Sequence, residues 1–224
     1  MMRTTCPRMT GTTARRMLAT RNAGWVRALA RILANCGVQP NAVSLAGIAF
    51  AFCAALAFVV SPACGASGRT ALLLAAAVCV QLRLLCNLLD GMLALEEGLK
   101  TPTGEIFNDL PDRFEDILIL VGAGYAPGIP AAAALGWAAA IAAVLTAYVR
   151  VLGGSLGLAQ HFTGPMAKQH RMFVITLFTF MAAIEPVMRL PARALPIGLA
   201  IVVIGSAATA LRRTRRILRE AEAR

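Results

Sequence analysis

The chain has 224 residues, 58% of them hydrophobic and 15% charged, with a formal net charge of +11. Soluble domains average about 45–50% apolar and about 25% charged residues, so the composition excludes an ordinary water-soluble domain and indicates a membrane protein. Nucleic-acid binding is also disfavoured, because the basic residues flank apolar runs in short stretches and aromatic residues make up only 6%; phosphates in lipid headgroups or in a phosphorylated substrate suit the charge better.

The first 24 residues contain no apolar core, so no secretory signal peptide is expected. Seven arginines and no acids lie between Arg3 and Arg31. Across Ala23–Cys36, Trp25, Val26, Leu29, Ile32 and Leu33 share one helical face, with Arg27 and Arg31 on another. That spacing predicts an interfacial amphipathic helix, closing an N-terminal segment over residues 1–38. Six apolar runs follow within residues 39–211: Val43–Val60, Ala71–Leu89, Ile117–Ala133, Ala134–Leu152, Phe173–Arg189 and Ala194–Leu211. Each approaches the roughly 20 residues that a membrane helix needs. The turn-forming segment at 125–130, Tyr-Ala-Pro-Gly-Ile-Pro, pushes the third helix to begin earlier, near Glu105. Residues 212–224 form a basic tail, expected as a solvated helix on anionic lipid.

The fold expected is an all-α integral membrane bundle of six transmembrane helices with an N-terminal interfacial amphipathic helix. Basic residues concentrate in the N-terminal segment, in 83–116, in 150–171 and in the tail, whereas 61–69, 125–130 and 186–193 carry one, zero and two. The positive-inside bias puts both termini in the cytoplasm, in a bacterial inner membrane. The six cysteines include no Cys-x-x-Cys pair, so neither a zinc site nor a thioredoxin-like motif is expected. The cysteines read as small packing residues. No internal repeat is evident, which weighs against an inverted-repeat transporter.

Eight of the eleven acidic residues fall between Asp90 and Asp116, on the cytoplasmic side between spans two and three. Carboxylates at a membrane edge are costly unless they face water, a cation or each other. Asn87 and Asp90 are three apart and share a helical face; Gly104, Asn108 and Asp112 are four apart and form a second stripe. Facing one another, the two stripes offer four oxygen-bearing side chains to one space. Gly91 and Gly104 leave room for a ligand or an opposing backbone. Such a set suits Mg²⁺ or Mn²⁺ bound with a diphosphate. Glu96, Glu97, Glu115 and Asp116 read as solvated helix-end carboxylates.

The segment 87–112 resembles the signature of the CDP-alcohol phosphotransferase family, Asp-x2-Asp-Gly-x2-Ala-Arg-x8-Gly-x3-Asp-x3-Asp. The spacing matches throughout, and Asp90, Gly91, Ala94, Gly104 and Asp112 match in identity. Asn87 and Asn108 stand where the family has aspartates, and Leu95 replaces its arginine. The resemblance implies transfer of a substituted phosphate from a CDP-alcohol, here CDP-diacylglycerol, to an acceptor hydroxyl, with release of CMP, in phospholipid synthesis. It implies Asp112 as the base, Asp90 and Asp112 as metal ligands with Asn87 and Asn108 as neutral ones, and Gly91, Ala94 and Gly104 lining the CDP pocket. The family also implies a homodimer. The amides weaken the metal site unless neighbours compensate; Glu105 and Asp109 are nearest, each about 100° off the stripe, with Pro111 as a source of local distortion.

Lys168 and Arg171, just before span five, and Arg150, at the end of span four, are expected to bind a phosphate of donor or acceptor; membrane anchoring is the alternative. Two other functions compete with the enzyme. A non-catalytic relative binding nucleotide or a partner is favoured by Asn87 and Asn108. A cation-coupled transporter predicts charges near midspan, whereas these cluster at helix ends.

Overall fold

The computed structural model describes residues 24–95, 104–160 and 164–223, apart from the side chains of residues 95, 104, 105, 107 and 108. The expectations for Glu96, Glu97 and the Leu95, Glu105 and Asn108 side chains therefore lie outside the described residues. Seven α-helices occur among those described: α1 (Gly24–Asn35), α2 (Pro40–Val60), α3 (Ala66–Leu95), α4 (Gly104–Tyr125), α5 (Pro130–Ser155), α6 (Lys168–Ile184) and α7 (Ala194–Glu222), with a short 3₁₀ turn at Ser61–Ala63. No described residue lies in a strand.

Local sequence explains the boundaries. Pro40 and Pro130 sit at the first turns of α2 and α5, after extended Gln39 and Ile129. Proline's fixed φ suits that position, and its missing N–H has no partner to lose there. The third and fourth apolar runs separate at residues 126–129, earlier than the expected Ala133, because Gly128 adopts φ 71° in the turn. The fifth run ends at Ile184 rather than Arg189. There Glu185 Oε1 accepts the backbone N–H groups of Arg193 and Ala194 at 2.9 and 2.7 Å, closing the start of α7. α7 continues unbroken past Leu211 to Glu222. The basic stretch is therefore part of the bundle: Arg213 and Ile217 are buried, and Arg213 Nη1 donates to the Thr146 carbonyl at 2.7 Å.

Helices α2 to α7 close into a ring in the order α3, α2, α4, α5, α7, α6, returning to α3. Small residues set the spacing around α4. A Cβ on Gly122 would lie 2.8 Å from Ala55 Cα, and one on Gly124 would lie 2.9 Å from Gly136 Cα, so α2 and α5 grip α4 at backbone distance. The core is rich in alanine and leucine, including Ala51, Leu73, Ile119, Ala139, Ile175 and Leu199. Large apolar side chains such as Phe52, Val78, Ile141 and Ile204 point outward. Outward apolar surface on this scale suits a lipid environment. Among the described residues, four helical stretches are long and apolar enough to cross a membrane: Pro40–Ala63, Ala66–Ala94, Pro130–Ser155 and Ala194–Glu222. α4 carries its acids before Ile117, and α6 has 17 residues.

α1 docks on the end of α3. Val26 and Ala30 are buried with Leu89, Met92 and Leu93, and Leu29 and Leu33 pack alongside. Trp25 and Ile32, expected on the same apolar face, remain more than half exposed. The end of α3, the start of α4, the end of α5, the start of α6 and the later half of α7 thus meet at one end of the ring.

Candidate active site

The acidic stripe of α4 extends one turn beyond its expected end. Asp112 and Asp116 are four apart and Glu115 lies between their turns, so all three side chains reach inward. Glu115 and Asp116, expected to be solvated, are 0% and 1% exposed. The partner that permits this is Arg83 of α3, itself fully buried. Its Nε lies 2.5 Å from Glu115 Oε2, and its Nη2 lies 2.8 Å from Asp116 Oδ1 and 4.0 Å from Asp112 Oδ1. On the far side, Arg171 Nη2 donates to Asp116 Oδ2 at 2.8 Å, while its Nη1 reaches Thr146 Oγ1 and the Met166 carbonyl. Arg171, expected at a phosphate, is thus a buried strut between α6, α5 and α4.

Asn87 and Asp90 rise from the same face of α3 but meet different neighbours. Asn87 Nδ2 donates to Glu115 Oε2 at 3.0 Å. Ser44 of α2 donates to Asp90 Oδ2 at 2.7 Å. The two stripes therefore do not simply face each other: α2 packs against both helices, and α3 meets α4 only lightly. Asp90 Oδ1 is buried with no hydrogen-bond partner among the described residues.

Asp112 is surrounded by cations. Lys168 Nζ pairs with its Oδ1, Arg113 Nη2 lies 3.5 Å from its Oδ2, and Arg83 Nη2 approaches its backbone carbonyl at 3.5 Å. Burial lowers the Lys168 ammonium from its usual value, and Asp112 opposes that shift. Burial likewise raises Glu115, against the pull of Arg83 and the Asn87 hydrogen bond. For Asp116 the balance reverses: burial raises it, but Arg171 and Arg83 together hold the carboxylate below its usual range. Asp109, expected as a compensating carboxylate, turns away to Arg150 Nη2 at 2.5 Å. Arg150 is thereby tied to α4 rather than presented alone to a ligand.

Gly47 of α2 makes room for Glu115. A Cβ there would stand 2.4 Å from Glu115 Oε1 and 3.5 Å from Cys86 Cβ. Beside the site, a cavity of about 750 Å³ is lined by Trp25, Val78, Leu85 and Phe180, with Asn87 and Lys168 at its polar part. Among the described residues, no group of three His, Cys, Asp or Glu side chains is arranged to hold a metal by itself. The unpartnered Asp90 Oδ1 fits one cation ligand, since a buried bare oxygen costs about 1–3 kcal/mol. Asp112 already has cations at both oxygens.

Ser44, Gly47, Arg83 and Thr146 were not singled out from sequence. Arg83 carried a signal, being an ionisable residue inside an apolar run, one turn before Asn87. Asp116 carried another, as the next member of the i, i+4 stripe.

No protein-family model and no curated protein sequence matches the chain. Solved structures do. The phosphatidylinositol phosphate synthase of Mycobacterium tuberculosis in complex with manganese and citrate aligns at a TM-score of 0.71 and 20% identity, covering 86% of this chain and 88% of that one. The same synthase with CDP-DAG bound gives 0.70 and 20%, covering 87% and 94%. Its apo form gives 0.67 and 20%, covering 85% and 95%. The chain therefore shares the fold of that synthase.

Proposed function

We propose that the chain is an integral membrane transferase that moves a phosphatidyl group from CDP-diacylglycerol to an acceptor hydroxyl and releases CMP. The observation that carries this reading is the match of the ring's fold to a synthase solved with CDP-DAG, with the buried, unpartnered Oδ1 of Asp90 near the end of α3 and Asp112 near the start of α4. Six helices spanning a bacterial inner membrane, with this end in the cytoplasm, agree with the arginine distribution. The apolar cavity walls suit the donor's acyl chains, and Asn87 and Lys168 mark where headgroup chemistry begins.

In the proposed reaction, Asp112 accepts the acceptor's hydroxyl proton. The acceptor oxygen bonds to the phosphorus that carries the diacylglycerol, and the bond from that phosphorus to the CMP oxygen breaks. Lys168 and Arg113 orient the Asp112 carboxylate. Asp90, oriented by Ser44, would be the anionic ligand of a Mg²⁺ or Mn²⁺ ion, with the Asn87 and Asn108 carbonyl oxygens as neutral ligands; Asp112 would join them only by exchanging its pairing with Lys168 or Arg113. That ion, when bound, neutralises diphosphate charge. Gly91, Ala94 and Gly104 would line the cytidine side. A transporter is disfavoured because the acids of α3 and α4 collect at one end of the bundle.

The test is CMP release from CDP-diacylglycerol by protein in liposomes, with candidate alcohol acceptors and Mg²⁺ or Mn²⁺. Asp112→Asn is expected to lower the rate at least about 100-fold, the scale of lost general-base catalysis. Absence of CMP from every CDP-alcohol, or Asp112→Asn matching the wild type, refutes the proposal.

A further inference from the structure

We propose that the end of α7 is a binding site for the phosphate groups of anionic membrane lipids, built from Arg212, Arg215, Arg216 and Arg219. It shares no residue with the candidate active site and owes nothing to the transferase reading. The four positions recur at three- and four-residue steps, so their side chains share one helical face. Together they line a shallow hollow of about 380 Å³. Arg216 pairs with Glu220 at 3.0 Å. Arg212, Arg215 and Arg219 are exposed and form no ion pair with a described residue. Like charges at these steps repel one another along a helix, and an anion seated in the hollow relieves that repulsion.

The bundle fixes which way this face points. Arg213 turns inward, where its Nη1 donates to the Thr146 carbonyl at 2.7 Å. One turn later Ile217 is buried against α5, so closely that a Cβ on Gly153 would stand 3.0 Å from its Cδ1. These two anchors set the rotation of the helix, and the four guanidiniums are left facing away from the bundle, where their planar forks match phosphate oxygens. Depth favours a lipid as the occupant. At about 1.5 Å per residue, Ala194–Leu211 covers about 27 Å, close to the roughly 30 Å of a hydrocarbon core. Arg212 then stands at the edge of the core, with Arg215 and Arg216 about 5 Å beyond it, in the headgroup layer. Arg219 leans back toward the same layer, because helical side chains tilt toward the N-terminus. Leu211 and Leu218 are half exposed beside the stripe, which suits the boundary between headgroup and acyl chain. A nucleic acid would use the charge but neither the leucines nor the depth.

The test reads lipid contact locally and without turnover. A single tryptophan is placed beside the stripe by Leu211→Trp in a Trp25→Phe/Trp137→Phe background. The full chain is reconstituted in phosphatidylcholine liposomes containing increasing phosphatidylglycerol, with one or the other lipid brominated high on its acyl chains, and quenching of the tryptophan gives the local preference. With the stripe intact, phosphatidylglycerol is expected to be preferred at least about tenfold. Arg215→Gln/Arg219→Gln is expected to lower that preference at least about fivefold, as the loss of two arginines at a lipid surface implies. Arg212→Gln/Arg215→Gln, on the same face, is read in parallel and is expected to give a similar loss. Equal quenching by brominated phosphatidylcholine in all variants shows that the helix keeps its depth. Arg27→Gln/Arg31→Gln removes the same charge from α1 at the same end of the ring and is expected to leave the preference intact. An equal drop from that pair means diffuse surface charge and overturns the site. No preference with the stripe intact overturns it as well, and so does stripe-dependent binding of an RNA oligonucleotide to the same liposomes in place of a lipid preference.

Discussion

Asp116 is the keystone of the buried ionic lattice, and replacing it by asparagine gives a large, specific effect. Its two oxygens each meet a guanidinium nitrogen at 2.8 Å, Arg83 on one side and Arg171 on the other. All three side chains are at most 3% exposed. Asparagine preserves the shape but removes the charge, and its amide nitrogen turns a donor toward one of the two cations. Breaking a buried ion pair while leaving the partner behind costs about 3–5 kcal/mol. For a chain of this size each kcal/mol shifts the unfolding midpoint by about 2–4 °C, so Asp116→Asn is expected to lower Tm by roughly 6–20 °C. Detergent-solubilised protein is heated and its monodisperse fraction read by size-exclusion chromatography. Asp109→Asn is the internal control, because Asp109 is 41% exposed in its pair with Arg150, and pairs so exposed contribute about 0–1 kcal/mol. Adding Arg171→Met to Asp116→Asn should recover part of the loss, since neighbours in one network are not additive. A Tm for Asp116→Asn within about 2 °C of wild type, or equal to that of Asp109→Asn, refutes the buried-lattice argument.

Two further outcomes follow from the same end of the bundle. Gly47→Ala places a methyl group 2.4 Å from Glu115 Oε1; displacing that carboxylate is expected to cost about 1–3 kcal/mol, whereas Gly24→Ala, with nothing within 4 Å of its new Cβ, should leave Tm unchanged, and equal midpoints for the two variants refute the packing claim. The depressed Asp116 carboxylate also sets a pH dependence. A lowered folded-state value means its stabilisation is complete above the ordinary aspartate range near about 4 and drains away only as pH falls below it. The Tm difference between wild type and Asp116→Asn should therefore stay level from about pH 8 to 5 and narrow under about pH 4. Narrowing between pH 7 and 5 contradicts that assignment.

Much of this molecule was readable along the chain. Apolar runs of near-membrane length and the Pro127-Gly128 turn between two of them mark helices and a stop, because a membrane-length helix announces itself by composition and a proline–glycine turn by backbone geometry. The early start of α4 was legible for the same reason: the turn at 125–130 leaves too little chain for a full helix unless it begins near Gly104. The i, i+3 and i, i+4 spacings of Asn87, Asp90 and Asp112 follow from helical periodicity alone. Glu115 and Asp116 were misread for a physical reason. A carboxylate near a helix end is ordinarily solvated, and what reverses that here is a guanidinium 32 or 33 positions earlier in the chain.

The amino-acid order by itself determined the helices, their approximate lengths and which short stretches carry charge, since these depend on residues within a few turns of each other. Only the tertiary structure decided which charges meet. The ring order inserts α2 between α3 and α4, giving Asp90 to Ser44, Asp112 to Lys168, and Asp116 to Arg83 and Arg171. Coulomb attraction acts on distance in space and grows as water is excluded, and neither the distance nor the exclusion exists until the helices have packed.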